Sequence, residues 1–224
     1  MKPIHDTWLV IPLYNEEQVI GDVIRAALPT FEHIVCIDDG STDKSGQAAL
    51  NAGATVITHP INLGQGAALQ TGFDYLTKYT DARYAVTFDA DGQHRVSDAV
   101  AMRERALADD LAIIYGSRFL EGQVDISPLK RLVLKTAAMV TRWQTGLHLT
   151  DAHNGLRLLR MDAVKRIHLR QSRMAHASEI VNELARTRLP WAEMPVHIDY
   201  TDYSRAKGQS LLNSVNILVD LILG

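Results

Sequence analysis

Short apolar runs alternate along the chain with longer amphipathic stretches, and the runs end at proline, glycine, aspartate or asparagine. Thr7 to Ile11 reads as a strand ending in Pro12, and Glu16 to Leu28 as a helix stopped by Pro29. Ile34 to Ile37 is the next strand, with a helix over Asp43 to Asn51. Thr55 to Thr58 follows as a strand, and Gly66 to Tyr79 as a helix. A strand at Tyr84 to Phe88, a helix over Ser97 to Ala108 and a strand at Leu111 to Tyr115 complete the regular part. Such alternation predicts an α/β fold, a mostly parallel sheet with helices on both faces. Beyond Gly116 the rhythm loosens. A polar loop runs to Ser127, and a helix from Leu129 to about Thr145. A short strand follows at Leu156 to Arg160, a helix around Ser178 to Arg188, a strand at Glu193 to Ile198 and a terminal helix from Ser210. No internal repeat, low-complexity tract or linker interrupts the chain, which reads as a single domain.

At 224 residues, with 46% hydrophobic and 22% charged side chains, the chain has the size and composition of one globular α/β domain. The net charge of -3 gives no reason to expect a nucleic-acid partner, so any basic site must be local. The lone Cys36 lies inside the apolar run Ile34-Val35-Cys36-Ile37 and reads as a buried structural thiol. One cysteine permits no disulfide framework within the chain, which fits a reducing compartment. Residues Met1 to Asp6 hold no apolar core of signal-peptide length. No stretch reaches the ~20 apolar residues that span a bilayer. The best approach, Leu211 to Leu223, is broken by Asn213, Asn216 and Asp220. These features predict a cytoplasmic protein, or one that lies on a membrane.

The candidate chemistry sits where the apolar runs stop. Asp89-Ala90-Asp91 follows the run Tyr84 to Phe88 directly and is followed by Gly92. Two carboxylates at the carboxyl edge of a sheet stand where open α/β folds place ligands. They suit a hard cation such as Mg2+ or Mn2+, which takes oxygen ligands and shares them with phosphates. Taken alone, an Asp-x-Asp reads as a solvated acidic turn that caps the helix starting near Ser97; the other segments of the chain reverse that reading. Pro12-Leu13-Tyr14-Asn15-Glu16-Glu17 opens a helix that Asn15 could cap, with acids in its first turn. Asp38-Asp39-Gly40-Ser41-Thr42-Asp43 ends the second strand. One of its aspartates could accept hydrogen bonds from a base or ribose, while Ser41 or Thr42 caps the next helix. Asn62-Leu63-Gly64-Gln65-Gly66-Ala67-Ala68 places small residues at a helix amino terminus, where free N–H groups can bind an anion.

These segments occur in order, each at a strand end, and together they closely resemble the family 2 glycosyltransferases of the GT-A fold. Within that family the chain looks most like the polyprenyl-phosphate sugar transferases of the dolichyl-phosphate mannose synthase type. The resemblance implies a Rossmann-like GT-A domain over 1–224, with a nucleotide-sugar half over 1–117 and an acceptor half over 118–224. It implies that Pro12, Tyr14, Glu16, Asp39, Gly64 and Asp89 line the donor pocket. Asp91 and Gln93 would join Asp89 around the metal and the donor diphosphate.

The back half narrows the class. Gly116-Ser117-Arg118-Phe119 follows the fifth strand, and Lys130-Arg131 opens the next helix. Arg131, Lys135, Ala138 and Arg142 fall on one helical face, which by itself is a solvated stripe. By resemblance, Arg118 and Arg131 clamp an acceptor phosphate, as guanidinium geometry permits. Asp151-Ala152-His153-Asn154-Gly155-Leu156-Arg157 resembles the family's Asp-x-x-Ser-Gly-Phe-Arg element, with Asn154 in place of serine. Tyr203 to Gly208 resembles the basic loop that closes over the donor diphosphate, which gives Arg205 and Lys207 their role. Ser178-Glu179 stands where sugar-acceptor members often carry a Glu-Asp pair supplying a general base, and the processive Gln-x-x-Arg-Trp is absent. A hydroxyl acceptor needs a base, whereas a phosphate monoester is already an anionic nucleophile.

His94 stands either behind the metal or on the surface; His153 and His176 lack ligand spacing and read as structural. Trp8, Trp143 and Trp191 read as core or interface. The resemblance therefore implies an inverting, metal-dependent transfer of a hexose from a UDP- or GDP-linked sugar to a polyprenyl phosphate. The alternatives are a family 2 transferase acting on a saccharide acceptor in cell-surface polysaccharide synthesis, and a non-catalytic GT-A scaffold. As a helix, the terminal segment groups Leu211, Leu212, Val215, Leu218, Val219 and Ile222 on one side. That face packs either on the domain's own core or, with the basic stripe, on anionic lipid or a small membrane-protein subunit.

Overall fold

The computed structural model describes residues 3–120, 145–171 and 176–199. Strands β1 (Ile4–Leu13), β2 (Phe31–Asp38), β3 (Thr55–Thr58), β4 (Tyr84–Thr87), β5 (Ile113–Ser117), β6 (Arg157–Arg160) and β7 (Trp191–Pro195) form one sheet. Its order is β3-β2-β1-β4-β6-β5-β7. All pairings are parallel except those of β6, which runs antiparallel between β4 and β5.

The central strands are apolar at successive positions because both faces are covered. Leu9 and Ile11 join one core with Ile20 and Ile24 of α1 (Ile20–Ala27), Ala49 of α2 (Ser45–Asn51) and Met102 of α4 (Val96–Ala108). Val10 points the other way, toward Leu69 and Phe73 of α3 (Gln65–Tyr79), Val164 of α5 (Met161–Val164) and Ile180 of α6 (His176–Thr187). Each fully buried aliphatic side chain in these layers contributes roughly 1.5–3 kcal/mol. Cys36 is buried in the first layer; burial, aided by Asp38, pushes its thiol up to about 12, so it is inert packing.

Several boundaries differ from the sequence reading, for local reasons. β1 does not end at Pro12 but runs through it to Leu13. Pairing with β4 stops at Val10, while Asp39 N–H still donates to Leu13 O on the β2 side. The missing N–H of Pro12 therefore falls where no partner stands. The first helix starts at Ile20 rather than Glu16, and Asn15 does not cap it. Asn15 takes a left-handed φ of 54° and its Oδ1 accepts from Thr42 N–H at 2.9 Å, while its own N–H donates to Ser41 Oγ at 3.0 Å. Glu16 N–H likewise donates to Ser45 Oγ. The segment after β1 is thus stitched to the loop after β2. Ser41 and Thr42 serve that seam instead of capping α2, where Asp43 Oδ1 accepts from Ser45 N–H.

Candidate active site

The carboxyl ends of β1, β2, β3 and β4 open on one rim. A cavity of about 660 Å³ lies there, and Pro12, Tyr14, Glu16, Asp39, Gly64, Asp89 and Asp91 all line it. The seven rim residues singled out in the sequence thus converge. β1 delivers Pro12 and Tyr14, β2 delivers Asp39, the turn into α3 delivers Gly64, and β4 delivers the two aspartates. The adjacent acids after β2 divide their duties. Asp38 Oδ1 accepts from Ser41 N–H at 3.0 Å and shapes the turn, whereas Asp39 faces the cavity. The glycine-rich turn differs from expectation: Leu63 and Gly64 N–H groups are not open to an anion but donate to Asp39 at 2.9 and 2.7 Å.

Asp89 and Asp91 occupy different environments. His94, itself buried, meets Asp89 Oδ2 through Nε2 at 2.9 Å, and its ring stands edge-on to Phe88. This places His94 behind the carboxylate and off the surface. Burial alone would raise the Asp89 carboxyl, but the charge and hydrogen bond of His94, then Arg157, outweigh it and hold it below the usual carboxylate range. Asp91 is shifted the other way, raised by burial and then by the negative charge of Asp89. Its oxygens accept from Gln93, from the backbone N–H at 3.0 Å and from the side-chain amide at 2.8 Å. Gln93 therefore braces Asp91.

Asp89 and Asp91 are two half-shielded carboxylates that could together meet a hard divalent cation. Among the described residues no group of three or more His, Cys, Asp or Glu side chains forms a cage. An ion held there by two carboxylates would need waters and substrate phosphates for its other ligands, as Mg2+ or Mn2+ commonly does.

A smaller cavity of about 160 Å³ adjoins the first, sharing Pro12, Gln65, Asp89 and His176 with it. Arg157, His153 and Gly155 also line it. From the sequence both histidines read as structural and Arg157 has no role of its own. Burial, followed by the charge of Arg157, pushes His153 down to about 4, so its imidazole is neutral near pH 7. These residues reach the rim because β6 runs antiparallel, which brings its first residue, Arg157, opposite Thr87 at the end of β4. The only sequence signal for them was the Asn-Gly-Leu-Arg element itself. Asn154 turns the chain into β6, its Oδ1 accepting from Leu156 N–H at 2.9 Å.

Arg118 lies deeper than an open clamp would. Its Nε and Nη2 donate to the buried Asp151 at 2.6 and 2.8 Å, and its backbone N–H adds a third bond at 3.1 Å. Arg131, Lys135, Arg142, Arg205, Lys207 and the terminal segment lie outside the described residues, as does Trp143.

The model of Glycosyl transferase family 2 matches residues 8–167. The chain belongs to that family. An uncharacterised protein of Methanocaldococcus jannaschii is 31% identical over 97% of this chain and 91% of its own length. The UDP-N-acetylglucosamine–dolichyl-phosphate N-acetylglucosaminyltransferase of Methanococcus voltae is 29% identical over 96% of this chain and 94% of its own. A polyprenol monophosphomannose synthase of Mycolicibacterium smegmatis is 32% identical over 75% of this chain and 67% of its own. Among solved structures, glucosyl-3-phosphoglycerate synthase of Mycobacterium tuberculosis with Mn2+ and UDP-glucose superimposes with a TM-score of 0.70. It is 17% identical and is matched over 96% of this chain and 77% of its own. The family 2 transferase thus has a GT-A fold, and its relatives include polyprenyl- and dolichyl-phosphate sugar transferases.

Proposed function

We propose that this family 2 transferase moves a hexose, with inversion, from a nucleotide diphosphate sugar to a polyprenyl phosphate at the cytoplasmic face of a membrane. The observation that carries the choice of acceptor is the fate of Glu179. Its carboxylate accepts from the backbone N–H groups of Arg170 and Gln171 at 2.8–3.0 Å, and it lines neither cavity. Among the described residues, the carboxylates on the two cavity walls are Glu16, Asp39, Asp89 and Asp91. Asp39 is tied to the fold, and Asp89 and Asp91 suit a metal. His153, near 4, is a weak base at neutral pH. In this reading Glu16 is given to the donor nucleotide, so no cavity-wall carboxylate is left as a base for a hydroxyl acceptor, and an ionised phosphate needs none. The names of the Methanococcus and Mycolicibacterium relatives support the same acceptor class.

In this reading Pro12, Tyr14, Glu16, Asp39, Gly64 and Asp89 hold the donor nucleotide, and Asp89 and Asp91, with Gln93 bracing Asp91, hold Mg2+ or Mn2+. The ion supplies charge stabilisation for the departing diphosphate. Arg118, braced by Asp151, and Arg131 position the acceptor phosphate, while Arg205 and Lys207 close over the diphosphate. A phosphate oxygen bonds to the anomeric carbon from the face opposite the leaving group. The bond to the nucleoside diphosphate breaks with its electron pair, giving a polyprenyl-phosphate sugar. No helix among the described residues is long and apolar enough to cross a membrane. In this reading attachment is peripheral, through the basic stripe, the terminal segment or a small membrane-protein subunit.

Incubation with labelled nucleotide sugar, Mn2+ and polyprenyl phosphate tests the reading. Label should enter the organic phase only when polyprenyl phosphate is present. Label carried into water-soluble saccharide, with none in lipid, would overturn the choice of acceptor.

A further inference from the structure

Arg157 is a buried charge without a counter-ion. It lines the smaller cavity at 3% exposure. Among the described residues its guanidinium makes one hydrogen bond, from Nη2 to Ala152 O at 3.2 Å, and no ion pair. Asp89 and Asp151 act on it through charge alone. Both are engaged elsewhere, Asp151 by the fork of Arg118 at 2.6 and 2.8 Å and Asp89 by His94 at 2.9 Å. Tyr115 stands opposite Arg157 in the β5–β6 pairing, but its hydroxyl is buried without a hydrogen-bond partner and so does not meet the guanidinium. A guanidinium carries five N–H donors, and burying such a charge unpaired is costly. The cavity is the place from which an anion can reach it.

The strand register sets how deep that anion sits. Arg157 pairs with Thr87, the last residue of β4, whereas Gly155 packs against Asp89, two positions beyond Thr87. Pro12, Gln65, Asp89 and His176 border both cavities and form the mouth of the smaller one. Leu69, Thr87 and Arg157 border the smaller one alone and form its floor. Its volume is about 160 Å³, and a cavity of roughly 150 Å³ admits one six-membered ring. A sugar whose diphosphate lies at the Asp89 mouth would reach into it with the ring. We infer that this cavity receives the transferred sugar and that Arg157 selects one bearing a carboxylate, a hexuronate, whose two oxygens match the guanidinium fork. A neutral hexose would seal the charge off and meet it with hydroxyls alone. A polyprenyl phosphate fits the floor less well, because its chain would have to leave through the mouth that the donor fills. Arg157 makes no bond to the reacting atoms in this arrangement and acts on specificity.

This inference rests on the transferase reading and narrows its hexose to an oxidised one, and the test separates the two. Calorimetric titration of the whole protein with Mn2+ compares UDP-glucuronate with UDP-glucose, and GDP-mannuronate with GDP-mannose. For the base that the protein accepts, the uronate should bind at least about tenfold more tightly than its neutral twin, the scale of one charge-assisted pair. Arg157→Met keeps much of the bulk without the charge and should bring that ratio to within about threefold, with folding checked by thermal melting. If Arg157→Met does not fold, Arg157→Lys keeps the charge without the fork and should lower the ratio in the same direction. Equal binding of uronate and neutral sugar by the unaltered protein overturns the carboxylate selection. An unchanged ratio in a folded Arg157→Met protein overturns the part given to Arg157. Loss of farnesyl phosphate binding in that variant, with the sugar ratio unmoved, hands Arg157 to the acceptor and overturns the inference as well. Failure of every nucleotide to bind overturns the transferase reading itself.

Discussion

Gly155 and Asp89 share one space. A Cβ placed on Gly155 would lie 2.8 Å from Asp89 Oδ1 and 2.9 Å from its Cγ, and nearer still to Oδ2. The carboxylate can stand between His94 and the cavity only because residue 155 has no side chain. Gly155→Ala should therefore displace Asp89 while costing about 1–3 kcal/mol of stability, the range for one methyl group too many in a packed site. Misplacing a catalytic group by about 1 Å costs on the order of a hundredfold in rate. Melting curves and transfer rates measured together check this, and a folded variant with full activity would contradict it.

Asp91→Asn should separate stability from turnover. Burial and Asp89 raise the Asp91 carboxyl, so its charge opposes folding at neutral pH when no cation is present. In chelator the variant should melt at or above the temperature of the parent protein. Its activity in Mn2+ should nevertheless fall by at least about a hundredfold, as the diphosphate loses its counter-charge. A melting temperature well below the parent's would mean that Asp91 is structural.

The Arg118–Asp151 pair should behave as a buried ion pair. Burial opposes the charge on Asp151, but the hydrogen bonds and charge of Arg118 overcome it, and the carboxyl sits below its ordinary range. Arg118→Ala strands that carboxylate and should cost about 3–5 kcal/mol at pH 7. A depressed carboxyl stabilises above its unfolded value near 3.9 and loses that contribution as pH falls through the folded value. The gap between parent and variant should accordingly close below about pH 4. Urea unfolding across pH measures it, and a constant gap would show that packing carries the effect.

His153 should leave its own mark at mildly acidic pH. It faces Arg157, Asp151, Arg118 and His176, and burial first, then Arg157, depresses it to about 4. The unfolded chain takes up this proton below about 6.5 and the folded chain does not. Stability should decline as pH drops from about 6.5 toward 4, and His153→Gln should flatten that stretch. Equal slopes in parent and variant would refute the assignment.

What the sequence made legible and what it did not follow from range. Pro12, Tyr14, Asp39, Asp89 and Asp91 each stand at the end of an apolar run and Gly64 at the start of the helix after the third, so strand periodicity and a parallel sheet suffice to bring them to one rim. Asn15 misled because an asparagine before acidic residues fits a helix cap locally. Its partner Thr42 lies 27 residues away and is invisible to local pattern. Arg157, His153 and His176 escaped for the same reason. Nothing in a short apolar strand says that it will insert antiparallel between two earlier ones. His59 gave no motif at all, and only its distance of 2.7 Å to Asp39 shows that it holds that carboxylate.

That insertion of β6 bears on how the molecule comes into being. Among the described residues β5 pairs with β6 and β7 alone, both of which follow it in the chain, and one edge of β4 waits for β6. During synthesis the first 117 residues would emerge with one strand unpaired and another half-exposed. The sheet can close only once residue 160 has left the ribosome. Residues 1–117 could not complete this sheet by themselves, and a nascent chain stalled there offers bare strand edges to chaperones.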